Sequence, residues 1–444
     1  MIERDEVFRL KTERQPGTLA RVLAAIAEHG AHIGDIETIA IQPDFNIRDV
    51  TVIAPSEESV AGIYAAISNV SGVEIVARRD KVFHKHEGGK IATVSTVDIR
   101  TLQDVREIYT PGVARVCIAI SEDQSLADQY TWRKRTVAVV SNGSRVLGLG
   151  NIGPAAALPV MEGKALFYPV LVGLNAVPIM LDTQDPDEII ETVIRIAPGF
   201  GAIHLEDIAS PDVYRIESEL DQRLPIPVMH DDQHGTATVV LGAVLGAARK
   251  LDRPLEDLVF GQVGLGAAGS AIAALASRFN FSRIEAYDPG EQAVAHLTDR
   301  VEPDRRFAVQ AGTSDADFEK VIAESDILVM ATGRPGLIIP EQVRPGSVVF
   351  ALSNPEPEIS IVDAEAGGAV IAADGAIVNN VLAYPGLFLG AIDAGVSSIT
   401  PEMRRAAAEA LAELAPEDGL LPDPLDKRVH AAVAAAVQEA GASA

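Results

Sequence analysis

A chain of 444 residues, 48% hydrophobic and 23% charged, has room for two to four domains of ~100–200 residues, each with its own buried core. Sixty-three acids against 37 bases give a net charge of −26. That field disfavours nucleic acid and anionic membrane as partners, and it requires an anionic substrate to meet locally placed cations or a bound metal. An acidic surface kept for solubility accounts for most of the charge.

The opening, Met1 to Glu6, lacks the basic and apolar regions of a signal peptide. Cys117 is the only cysteine, so no intrachain disulfide forms and a reducing cytoplasm is the expected location. Apolar stretches such as 236–248 are too short or too rich in Gly and Ala for membrane spans. Residues 5–82 read as βαββαβ. A strand from Val7 to Thr12 meets the turn Pro16 to Thr18, where Thr18 is the expected helix cap. Leu19, Val22, Leu23 and Ile26 then recur at helical spacing up to Gly30. Strands near 33–41 and 48–54, a helix near 57–68 and a strand near 73–82 complete the unit. The run "RQPGTLARVLAAIAEHGAHIGDIET" resembles an ACT domain, a small effector-binding ferredoxin-like fold. The resemblance implies a small effector, often an amino acid, near the Pro16–Thr18 and Gly30 turns. Ala31 and His32 stand where many such domains carry Asn or Asp, and a ligand-free structural role is the alternative. The expected division is 1–83 for this regulatory unit, with 84–90 as linker, then 84–235 and 236–444.

Beyond the linker, strand-like runs at 136–140, 177–181, 201–205 and 226–229 alternate with helical ones, the pattern of a parallel sheet flanked by helices. Two of these strands end in acids, Glu206-Asp207 and Asp231-Asp232. Acids converging at one sheet edge repel unless a cation neutralises them, and hard oxygen ligands suit Mg²⁺ or Mn²⁺. His230 and His234, four apart, raise zinc as a competitor, but they flank an expected turn and have no Cys partner. Acids that merely cap helices are the bland alternative. The strand from Leu258 then runs into Gly264, Gly266 and Gly269, with Ala267 and Ala268 between them, a G-x-G-x-x-G turn that opens a helix. Such a turn receives a dinucleotide pyrophosphate at the helix N-terminus. Asp288, at the end of the next strand, sits at the usual offset of the ribose-binding carboxylate, and its charge favours NAD over NADP. Later strands at 326–331 and 347–351 end in Thr332-Gly333 and Ser353-Asn354, at the edge where ligands of such sheets gather. Helices near 403–414 and 429–440 close the chain.

Taken singly, Tyr109, Arg145 and Lys164 have bland readings as a half-buried tyrosine, a surface charge and a snorkelling lysine. Together, "YTPGVAR", "SRVLGLGNIGP", "MEGKALF", "LEDI", "HDDQHGTA", "LSNP" and "NNVLAYPG" follow the order and rough spacing of the malic enzymes, a resemblance covering about 84–440. It implies an α/β architecture, a Rossmann domain and oxidative decarboxylation of (S)-malate to pyruvate and CO2 with reduction of NAD(P)⁺. It also implies Glu206, Asp207 and Asp232 as metal ligands, Lys164 as general base with Asp231 in support, and Tyr109 as the acid that protonates enolpyruvate. Arg145, Asn354, Asn379 and Asn380 are implied as substrate-binding groups. The pyrophosphate turn with Asp288, Thr332, Gly333 and Asn354 is implied for the cofactor. A basic Lys164 must be neutral, so nearby metal charge and desolvation are expected to lower its pKa. A homodimer or higher homo-oligomer is expected, and no phosphotransacetylase-like extension after Ala444. Malolactic-type conversion of malate to lactate is the nearest rival. Amino-acid dehydrogenation would have no use for the acid cluster, and a non-catalytic amino-acid sensor would have no need of Tyr109, Lys164 and the acids.

Overall fold

The computed structural model describes residues 3–146, 148–301 and 309–443, with side chains left aside at 309 and 310, and the chain divides into two units, 1–92 and 93–444. In the first, β1 (Arg4–Glu13), α1 (Thr18–Ala27), β2 (His32–Ile41), β3 (Phe45–Ala54), α2 (Glu57–Ser68) and β4 (Val73–Asp80) follow in βαββαβ order. The strands form an antiparallel sheet in the order β2-β3-β1-β4, the split-βαβ arrangement. Alternation along β1 turns Phe8 and Leu10 inward. They pack with Val50 and Val52 of β3 under Val22 and Ile26 of α1 and Ile63 and Ile67 of α2. Gly17, not Thr18, is the N-cap of α1: its φ of 86° is left-handed, and Thr18 is buried in the first turn with its hydroxyl accepting from Arg21. The stretch expected as linker is partly helical. α3 (Lys81–His86) is capped by Asp80, whose carboxylate accepts the amides of Val82 and Phe83, and the unit extends to Ala92.

The second unit begins with three short helices, α4 (Leu102–Ile108), α5 (Val113–Glu122) and α6 (Ala127–Tyr130). A first α/β layer follows: β5 (Thr136–Ser141), α7 (Gly153–Leu171), β6 (Asn175–Met180), α8 (Pro186–Ile196), β7 (Ala202–Leu205), α9 (Asp212–Arg223) and β8 (Val228–His230). Its strands are parallel in the order β6-β5-β7-β8, which puts a topological switch point between β5 and β7. α10 (Asp231–Lys250) starts directly after β8 and runs unbroken through the expected boundary at 235/236. Its apolar face is shared by the core of the next layer, where Val240, Leu241 and Val244 meet Phe260 and Ile272.

That layer contains β9 (Val259–Val263), α11 (Ala267–Ala276), β10 (Arg283–Tyr287), α12 (Glu291–Arg300), β11 (Val309–Gly312) and α13 (Asp315–Glu324). It continues through β12 (Ile327–Met330), β13 (Val348–Ala351), α14 (Ile361–Ala366) and β14 (Ile371–Asp374). The order β11-β10-β9-β12-β13-β14, all parallel, is the doubly wound dinucleotide-binding order with its switch point between β9 and β12. α15 (Tyr384–Ala394), α16 (Pro401–Leu414) and α17 (Lys427–Ala442) close the unit. Among the described residues no helix is long and apolar enough to cross a membrane.

Asp326 ties the edge of this sheet opposite the glycine turn. Its carboxylate accepts the amide of Val259 at 2.9 Å and the guanidiniums of Arg253 and Arg344 at 2.8 and 2.7 Å. Burial works to raise its pKa, but these donors outweigh burial and hold it below the usual carboxylate range. A depressed native pKa gives stability that is complete above the unfolded value of ~3.9 and is lost as the pH falls from there through the lower folded value. Asp326→Asn is therefore expected to cost about 1–2 kcal/mol in urea unfolding at neutral pH, with the two proteins converging below about pH 3.9.

Candidate active site

The residues singled out in the first layer meet at the C-terminal ends of β5, β7 and β8. After β5 the backbone turns sharply: Gly143 has φ 66°, and a Cβ there would lie 2.3 Å from the carbonyl oxygen of Gly153. The turn is pinned by Ser141 Oγ accepting the amide of Gly143 and by Asn142 Oδ1 accepting that of Ser144. It delivers Arg145, exposed, with its amide donating to the carbonyl of Asp207 at 3.1 Å. Asp207 itself holds a left-handed φ of 51°, a conformation a non-glycine residue keeps only when its surroundings impose it.

Lys164, midway along α7, places its ammonium 2.6 Å from Asp231 Oδ2 and 2.8 Å from Glu206 Oε1. The same ammonium lies 5.1 Å from the ring centre of Tyr384, whose hydroxyl donates to the Lys164 carbonyl. Burial favours the neutral amine, but the Asp231 and Glu206 carboxylates dominate and raise the Lys164 pKa well above its ordinary value. Taken by themselves, these two acids hold the lysine cationic.

One carboxylate oxygen each from Glu206, Asp207 and Asp232 lies within 4.8 Å of the others. Asp207 Oδ2 is buried with no hydrogen-bond partner among the described residues. Burial, then the charges of Glu206 and Asp232, push the Asp207 carboxyl up to about 8, while His230 beside Asp232 outweighs burial and draws that acid down to about 2. Three crowded acids, one of them destabilised in its charged form, form a hard-oxygen donor set that a divalent cation fits. A second group, His204, Glu206 and Asp231, is engaged within the protein: Lys164 donates to Asp231 Oδ2 and the His204 ring bridges Glu206 and Tyr168 at 2.7 Å on each side, while Asp231 Oδ1 is buried without a partner among the described residues.

The two histidines considered for zinc do not form a pair. His230 is the N-cap of α10 and His234 lies one turn inside the helix, its Nε2 3.2 Å from Glu217. Glu217, fully engaged, also accepts the His230 amide and the Gln233 side chain. Asn380 accepts from Thr236 Oγ1 at 3.1 Å, one turn along α10 from Asp232, and Asn379 caps the following turn through the Val381 amide. Tyr109 stands apart: it ends α4, is 69% exposed and has no side-chain contact with Lys164 or the acids among the described residues. His204, Tyr168, Tyr384 and Glu217 were not singled out from sequence. His204 had a readable signal, because a strand residue two before Glu206 shares its face.

At the switch point of the second layer, Gly264 has φ 86°, and a Cβ there would lie 2.6 Å from the Ala331 carbonyl. A Cβ at Gly269 would fall 1.9 Å from the carbonyl of Gly264, whereas at Gly266 it would meet nothing within 4 Å. The turn is therefore tight where helix and strand pack and open at the N-cap of α11, where a pyrophosphate fits. Asp288 accepts the amides of Leu265 and Gly290, both at 2.8 Å, which ties the acid to the glycine turn. Thr332, Gly333 and Ser353 are bound into one network by buried Glu358, which accepts from Thr332 and Ser353 while Ser353 Oγ accepts the Gly333 amide. Asn354 follows, exposed at that edge.

Two parallel sheets, a glycine turn at the switch point of one and an acid–lysine cluster at the edge of the other, define a dinucleotide-linked oxidoreductase. The profile of the malic enzyme N-terminal domain matches residues 88–221, and that of the malic enzyme NAD binding domain matches 304–440. An NAD-dependent malic enzyme of Bacillus subtilis is 43% identical over 436 residues, covering 98% of this chain and 97% of that protein. A bifunctional malic/malolactic enzyme of the same organism is 39% identical over 82% of this chain and 92% of its own length. The crystal structure of an NAD-dependent malic enzyme from Thermotoga maritima superposes with a TM-score of 0.73 at 35% identity, over 81% of this chain and 99% of that one. The chain belongs to the malic enzyme family.

Proposed function

We propose that the chain catalyses NAD-linked oxidative decarboxylation of malate, assisted by a divalent cation at Glu206, Asp207 and Asp232. The observation that carries this reading is the Lys164 ammonium within 2.8 Å of both Asp231 and Glu206, beside that acid triad. Malate and NAD⁺ give pyruvate, CO2 and NADH: the C2 hydroxyl loses its proton, the C2 hydride goes to the nicotinamide, and the resulting β-keto acid loses CO2. A cation bound at the triad would polarise the C2 oxygen and lower the charge that keeps Lys164 protonated. Lys164 then takes the hydroxyl proton with Asp231 as its support, and Arg145 grips a substrate carboxylate. Asn354, Asn379 and Asn380 contribute amides to the substrate pocket, and Tyr109 returns a proton to carbon. Asp288 would repel a 2′-phosphate, which favours NAD over NADP, and Mg²⁺ and Mn²⁺ both suit the oxygen donors.

For the first unit we infer an ACT-type regulatory role. A cavity of about 350 Å³ at the turn from Pro16 to Thr18, with Arg14 and Arg48 on its wall, suits a small effector. A homo-oligomer in the cytoplasm would cover Ile99, Leu102 and Ile108, which are exposed. Purified protein given malate, NAD⁺ and Mn²⁺ is expected to form NADH and pyruvate in equal amounts, read from nicotinamide absorbance and product analysis. Lactate without NADH would establish the malolactic route instead, the reaction in the name of the second Bacillus relative.

A further inference from the structure

On the side of α10 that carries His234, a cavity of about 540 Å³ opens between α9, α12 and the start of α16. A smaller one, sharing His234, Arg300 and Arg404, continues it towards α11. No residue assigned above to substrate, metal or dinucleotide lines either cavity.

Four arginines line the two cavities; Arg215 is paired with Asp187 and Glu219 and Arg278 with Glu402, which leaves Arg300 and Arg404 for the space itself. Arg300, at the end of α12, has Nη1 2.9 Å from Gln233 Oε1 and 3.2 Å from His296 Nε2, and it lies 5.7 Å over the ring of Tyr214, against which His296 stacks at 4.0 Å. Those contacts fix its plane and leave part of its donor fork unused. Arg404, in the first turn of α16, is half-buried, and its guanidinium has no hydrogen-bonded or ion-paired partner among the described residues. Burial draws its pKa down to about 10, with Arg300 adding to the effect, and it stays cationic at neutral pH.

The acids on the same wall do not satisfy it. Glu217 is taken up by the His230 amide, Gln233 and His234. Asp221 accepts from Ser398 at 3.0 Å, and its Oδ1 is buried with no partner among the described residues. The cavity thus offers two cations and, on the same wall, an acceptor in need of a donor. A half-buried guanidinium with neighbouring acids but no hydrogen-bonded partner is costly, and an anion seated on its donors relieves that cost.

We propose that this cavity is a binding site for a small anion, a carboxylate or phosphoryl group held by Arg300 and Arg404, with a hydroxyl of the same molecule donating to Asp221. The carboxylate and phosphoryl sources are separable with D-glycerate and glycerol 3-phosphate, each of which carries a hydroxyl. Calorimetric titration of the full chain is expected to show binding of at least one of them at concentrations up to about 10 mM. Arg404→Met is expected to weaken that binding by about tenfold or more, and Arg145→Met to leave it within about twofold. If the Met variant fails to fold, Arg404→Lys keeps a charge but not the fork and is expected to lose several-fold. Absence of binding of either probe to the wild type would overturn the proposal. So would unchanged affinity in the Arg404 variants, or loss in Arg145→Met alone, which would place the anion in the malate site.

Discussion

Lys164→Ala is expected to lower kcat for malate oxidation by about 10²–10⁴-fold, the usual contribution of a positioned general base, while the Kd for NAD⁺ stays within about twofold. The separation follows from geometry. Lys164 contacts Asp231 and Glu206 at the edge of the first α/β layer and Tyr384 of α15, whereas the glycine turn, Asp288 and the Glu358 network belong to the second layer and, among the described residues, touch none of these. The substitution also leaves two buried carboxylates without their cation, so some loss of Tm accompanies it in metal-free buffer. Added Mn²⁺ should recover most of that loss, because Glu206 regains a positive partner. Stopped-flow absorbance of NADH, with NAD⁺ binding followed by fluorescence, checks both quantities. Equal loss of turnover and NAD⁺ affinity would show that Lys164 holds the fold rather than the proton.

Asp232→Ala is the second large effect. One of three converging carboxylates disappears, and the remaining pair, Glu206 and Asp207, cannot complete a hard-oxygen donor set. The metal concentration for half-maximal activity is expected to rise by at least about 100-fold, the upper end of what removing a mere supporting group costs. Chelator should stop the wild type outright. Full malate turnover by the wild type in chelator would remove the cation from the account.

Much of this was legible in the residues. The strand Arg283–Tyr287 and the glycine turn were read at their observed positions, because alternating apolar runs and a fixed Gly spacing are local signals. The convergence of Glu206 with Asp231 and Asp232 was legible as well, since parallel strands end on one edge. What escaped were properties set by partners distant in sequence. The protonation of Lys164 depends on two carboxylates, 42 and 67 residues away, that outweigh its burial. The start of α10 at Asp231 follows from β8 feeding straight into a helix, with Glu217 of α9 holding the His230 amide at its N-cap. Glu358 could not be seen as the acid that knits Thr332 to Ser353, because glutamate in a loop after Pro355 carries no pattern of its own.

Diffraction from crystals grown with Mn²⁺, at a wavelength where manganese scatters anomalously, bears most directly on the account. A single anomalous peak within bonding distance of oxygens from Glu206, Asp207 and Asp232 is the predicted result. A peak elsewhere, or no bound ion while these three side chains turn apart, would contradict it.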